Sequence, residues 1–94
     1  MDDYVLITTK HRGVFCGRRG DGNLPDHITL HDARNCIYWH KSMGGFLGLA
    51  ECGPNDKCRI GAAVAEITLY DITSVTPVSA AAAVGWRKAA TWKG

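Results

Sequence analysis

The chain predicts a mainly β fold of the α+β type. The expected architecture is a small bent antiparallel sheet or SH3-like barrel of 5–6 strands, with one short inserted helix and a C-terminal helix. Three observations lead there. Short apolar runs alternate with clusters of Gly, Pro, Asn and Asp. The inward-facing parity breaks twice, which demands bulges or bends rather than long flat strands. An alanine-rich stretch near the end repeats its large residues at helical spacing. The 94 residues make one domain, residues 1–94.

The first strand spans Tyr4 to Lys10, where Val5, Ile7 and Thr9 alternate with Tyr4, Leu6 and Thr8. Apolar residues in both sets predict a strand with both faces partly covered. His11-Arg12-Gly13 is a tight turn, and Val14 to Cys16, ending near Gly17-Arg18-Arg19, completes a hairpin. Gly20 to Asp26 is an exposed loop of turn formers. Ile28-Thr29-Leu30 is the third strand. Ile28 and Leu30 share one face, but Ile37 and Trp39 have the opposite parity, so a turn or bulge is expected at about Asp32 to Asn35. Cys36 to His40 is then a separate fourth strand. Alternation sets Tyr38 and His40 on one face and Trp39 on the other, so one aromatic belongs to the core and the other faces out.

Phe46 to Cys52 reads as a short helix closed by Gly53 and Pro54, and Lys57 to Ala63 as loop or the start of a strand. Val64 to Val75 returns to strand character, with a bulge or bend near Tyr70-Asp71, or two short strands. Thr76-Pro77 carries the pattern of a helix start, Thr as N-cap and Pro in the first turn. Val78, Ala82 and Trp86 then place Trp86 against the sheet. Trp92 belongs to a frayed tail or docks on a neighbouring subunit.

Composition limits the function classes. At 46% hydrophobic and 21% charged the chain is an ordinary globular sequence, and its net charge of +2 does not argue for nucleic acid by itself. No apolar run approaches the ~20 residues of a membrane span. The acidic start, Met1-Asp2-Asp3-Tyr4, lacks the basic region of a signal peptide, which predicts a cytoplasmic protein with reduced thiols. Cys52 and Cys58 are too far apart for a zinc knuckle, and the histidines lack metal-ligand spacing, so neither a metal nor another cofactor is expected. His31-Asp32 is a poor acid–base pair because strand neighbours point to opposite faces. No catalytic residues are assigned, and the expectation is a non-enzymatic protein.

The candidate ligand-binding residues are Arg12, Arg34, Tyr38, Trp39, His40 and Lys41. Arg34, beside the expected break, has the planar fork that suits a phosphate or carboxylate. The alternatives are a pair with Asp32 or a stack on an aromatic ring. An aromatic followed by a cation, as in Tyr38-Trp39-His40-Lys41, suits a base and its phosphate. Arg12 stands at a turn tip. Lys10 to Arg12 and Arg18-Arg19 are basic rims or edge-protecting charges, and Gly44-Gly45 is a weak anion site or a flexible connection.

The series Val5-Leu6-Ile7-Thr8-Thr9, Arg12-Gly13-Val14-Phe15-Cys16-Gly17 and Ile28 to Trp39 resembles a family of small uncharacterised bacteriophage and prophage proteins. Its pattern is a Gly-Val-x-x-Gly hairpin and an Ala-Arg segment running to Tyr-Trp. The likeness continues through Phe46 to Ala50 and Glu66 to Leu69. It implies expression in the cytoplasm of an infected bacterium. By analogy with small phage proteins it implies a homo-oligomer that sequesters a nucleotide-type immune signal and counters host defence. The alternatives are a small-barrel nucleic-acid-binding module or an inhibitor that docks on a host protein.

Overall fold

The computed structural model describes residues 4–10, 13–20, 27–39 and 45–92. Its elements are β1 (Tyr4–Thr9), β2 (Val14–Arg19), β3 (His27–Tyr38), α1 (Phe46–Glu51), β4 (Arg59–Ile60), β5 (Val64–Tyr70), β6 (Ile72–Pro77) and α2 (Ala80–Lys88). The six strands form one antiparallel sheet in the order β4-β3-β2-β1-β6, with β5 alongside β3. The sheet bends without closing. β5 pairs with β3 and β6 with β1, so the β5–β6 segment, turned at Asp71 (φ 55°), reaches from one to the other. The bent sheet therefore describes the molecule better than the barrel, and the bend at Tyr70-Asp71 stands where parity placed it.

Two apolar clusters lie on opposite faces of this sheet. Tyr4, Leu6, Val14, Cys16, Cys36 and Ile60 pack against Leu49, Ala50, Ala83 and Trp86 of the helices. Val5, Ile7, Ile28, Leu30, Ala33 and Leu69 fill the other side, with Phe15, Ile67 and Ile72 at its margin. β1 contributes to both clusters, which is why its alternating residues are apolar in both sets. Trp86 is 1% exposed, and its indole N–H donates to the Leu49 carbonyl at 3.0 Å. A buried Trp keeps its polar tip satisfied in this way.

β3 differs from the sequence expectation. The segment is a single twelve-residue strand, and the break is a bulge inside it. Arg18 pairs with His31 and Cys16 with Arg34, so Asp32 and Ala33 lie together opposite Gly17. Asp32 takes φ 51°, a left-handed conformation that Asp tolerates. A Cβ on Gly17 would sit 2.9 Å from the His31 carbonyl oxygen, so the residue opposite the bulge has to be glycine. The extra residue exchanges the faces: Ile28, Leu30 and Ala33 serve one cluster, Cys36 the other.

The helices also correct one boundary. α1 ends as expected: Gly53 has φ 80°, and its N–H donates to Leu49. A Cβ at Gly53 would meet the Ala82 carbonyl oxygen at 3.0 Å, so glycine also permits the approach of α2. Thr76-Pro77, however, closes β6 rather than opening α2. Proline's missing N–H is as well tolerated at the end of an edge strand as in a first helical turn. The cap is Ser79, whose hydroxyl oxygen accepts from the Ala82 N–H at 3.0 Å and whose O–H donates to the Glu51 carbonyl at 2.6 Å. No helix among the described residues is long and apolar enough to cross a membrane.

Candidate functional site

The site grows from the register of β4. Arg59 pairs with Tyr38 at the end of β3, and Ile60 forms a parallel bridge with Thr91 on the other side. The Trp92 N–H donates to the Ile60 carbonyl at 2.9 Å. Three neighbouring strand segments thus set Tyr38, Arg59 and Trp92 side by side. The Arg59 guanidinium carbon lies 5.5 Å from the Tyr38 ring centre and 5.1 Å from that of Trp92, both within cation–π range. Tyr38 is 45% and Trp92 42% exposed. Arg59 is exposed too, and among the described residues it forms no ion pair. A guanidinium beside two rings still has five N–H donors that can reach an anion.

An open groove of about 530 Å³ adjoins Trp92, with Asn55, Asp56, Cys58, Lys88 and Thr91 on its walls. Lys88, in the last turn of α2, adds a second positive charge to this side.

The residues predicted from sequence fall into three groups. Arg12, His40 and Lys41 lie outside the described residues, as do the His11-Arg12 turn tip, the loop over 21–26 and Gly44. Tyr38 and Trp39 separate: Tyr38 faces out, while Trp39, just beyond β3 and past a register shift at Cys36–Tyr38, is half-buried against the helix-side cluster that also holds Cys36. Arg34 is only 6% exposed. Its Nε donates to the Gly61 carbonyl at 2.8 Å and its Nη1 to the carbonyls of Trp86, at 3.0 Å, and Ala89. Its Nη2 donates to Thr91 Oγ1 at 3.2 Å. Asp32, the carboxylate weighed as its partner, pairs instead with Arg18 at 2.7 Å. Arg34 therefore caps the C-terminal end of α2, where unpaired carbonyls and the helix dipole favour a cation. Burial lowers its pKa.

All four thiols are free. Burial pushes Cys16 up to about 12. Cys36 is also raised to about 12, first by burial and then by the charge of Cys58, against a lowering hydrogen bond to the Tyr38 carbonyl. Both stay protonated at neutral pH, which removes them as nucleophiles.

Arg59 was missed by sequence reasoning, and Trp92 was read only as part of a frayed tail or as a residue docking on a neighbouring subunit. Arg59 stands in a segment with no strand alternation, and Trp92 follows the end of the last periodic run. A sequence signal existed only in kind: an exposed-tail Trp and a lone Arg are ordinary until β4 brings them together.

A family model described as a domain of unknown function (DUF6948) matches residues 2–86. No curated protein and no solved structure matches the chain.

Proposed function

Because the chain belongs to this family of unknown function, DUF6948, its geometry must supply the reading, and we propose a non-enzymatic protein that captures a nucleotide-type ligand at Tyr38, Arg59 and Trp92. The observation that carries this reading is the stack of Arg59 against two outward-facing rings. The guanidinium edge takes a phosphate, and the free face of Tyr38 or Trp92 takes a base. Lys88 lies within the adjoining groove to hold further negative charge. These three groups supply charge and flat surface, which suits holding a ligand. A second copy of the chain closes the open groove over the ligand.

The phage-type sequence pattern supports a cytoplasmic setting in an infected bacterium, where capture would sequester a signal of host defence. The test is calorimetry and thermal shift against cyclic nucleotides and ADP-ribose derivatives. Binding that disappears in Arg59→Met and weakens in Trp92→Ala and Tyr38→Ala is expected. No stabilisation by any of the panel sinks the proposal. Affinity for single strands that falls steeply with salt would instead identify a nucleic-acid-binding module.

A further inference from the structure

The three segments that compose the Arg59 site have little to hold them in common. β4 is two residues long, and among the described residues the backbone of 89–92 is joined to it by one isolated bridge, which the Trp92 N–H to the Ile60 carbonyl helps form. α2 does not end on a glycine. Ala89 leaves the helix at ψ 133°, so the path from Lys88 to Trp92 is not fixed by a glycine turn. What fixes it is a side chain far away in sequence. Arg34 rises from β3 two positions before Cys36, which pairs with Ile60. From there it donates to Gly61 just after β4, to Trp86 and Ala89 at the end of α2, and to Thr91 beside Trp92.

From this arrangement we infer that Arg34 is the positioning residue of the Arg59 site. By holding Gly61, Ala89 and Thr91 to β3 it sets Trp92 over Arg59, and so completes the double stack without touching a ligand. This rests on the reading of the stack as a ligand site, but the geometric half of the claim is testable without any ligand. Arginine is required rather than lysine. Its Nε and Nη2 reach acceptors on different segments while Nη1 serves two carbonyls at once. An ammonium offers its donors from a single point and cannot span them.

The test uses the full chain labelled with 5-fluorotryptophan. Its three tryptophans give three ¹⁹F resonances, assigned by Trp→Phe substitution one at a time. In Arg34→Lys the Trp92 resonance is expected to move toward that of solvent-exposed tryptophan and to narrow, while that of Trp39 stays in place and that of Trp86, whose carbonyl Arg34 contacts, shifts less than that of Trp92. Binding of inorganic pyrophosphate should weaken by about tenfold, the scale typical of removing a supporting contact. A Trp92 resonance unchanged in Arg34→Lys overturns the inference. If Arg34→Lys fails to fold, with all three resonances collapsing together, Thr91→Val decides. It removes one acceptor at the 89–92 segment and leaves the core intact. Movement of Trp92 alone supports the inference, and no movement overturns it. Absence of pyrophosphate binding in the unsubstituted chain counts against the proposed function, while the Trp92 resonance still decides the role of Arg34.

Discussion

Arg34 and Arg59 stand on adjacent strands, β3 and β4, and carry the same side chain into opposite circumstances. Arg34 is buried, and four hydrogen bonds bind it to three carbonyls and a hydroxyl of its own chain. Arg59 is exposed and lies within cation–π range of two aromatic rings. The difference follows from what each backbone position faces. Arg34 follows the β3 bulge and points into the layer where α2 ends, a place rich in unpaired carbonyls. Arg59 is on the other face of a two-residue strand, where the neighbours are rings and water. Removing the first should disturb the fold, and removing the second should disturb mainly what binds there.

Among substitutions the largest effect should come from Arg34→Met, which leaves carbonyls of Gly61, Trp86 and Ala89 without this donor. A loss of about 3–5 kcal/mol is expected in urea unfolding, the range for breaking a buried charged network. Arg59→Met, which loses two exposed cation–π contacts, should cost about 1 kcal/mol. Equal losses from the two would break the comparison.

Next come the thiols of the buried layer. The folded state holds Cys16 and Cys36 protonated up to about 12, while an ordinary thiol ionises near 9.0. Their contribution is present below the lower value and lost as pH rises between the two. The slope approaches about 1.4 kcal/mol per pH unit for each thiol. Stability measured across alkaline pH should fall accordingly, and a flat profile would contradict the burial of these groups. Ser79→Ala removes the cap at the start of α2, the counterpart of Arg34 at its end, and should cost about 1 kcal/mol in thermal or urea unfolding. The smallest effect belongs to Arg18→Gln. Its pair with Asp32 has side chains 38% and 58% exposed, so its loss should cost less than about 1 kcal/mol and fade with added salt.

Local features of this fold were legible in the sequence. The bulge lies in the window where parity placed a break, but Ile37, taken as core there, is 48% exposed, and Trp39 packs on the cluster opposite Ile28 and Leu30. The parity of Leu69 against Ile72 located the bend, because side-chain direction in a strand is periodic. Gly53-Pro54 marked the end of α1 through chemistry confined to adjacent residues. The continuity of β3 was not legible, since a bulge and a turn leave the same parity signature and only the pairing with β2 separates them. Thr76-Pro77 carried the helix-start pattern but was claimed by the β6–β1 ladder, and the cap fell to Ser79, which the Glu51 carbonyl holds. The outward ring of the Tyr38-Trp39 pair depended on β4. The partners of Arg34 lie 27 to 57 residues away and are mostly backbone carbonyls, which carry no residue-type signal at all.

β1 is enclosed on every side, with apolar clusters on both faces, Gly17 of β2 opposite Val5 at one edge and Pro77 of β6 at the other. Of the six strands it leaves the ribosome before the rest, and its second neighbour leaves after all of them. During synthesis an apolar strand with an open edge must wait while the intervening residues emerge, a state that invites pairing with other chains. Closure between partners so distant along the chain also places folding toward the slower range for small domains. A nascent chain halted before β6 should therefore be captured by chaperones, and release should follow the emergence of Pro77.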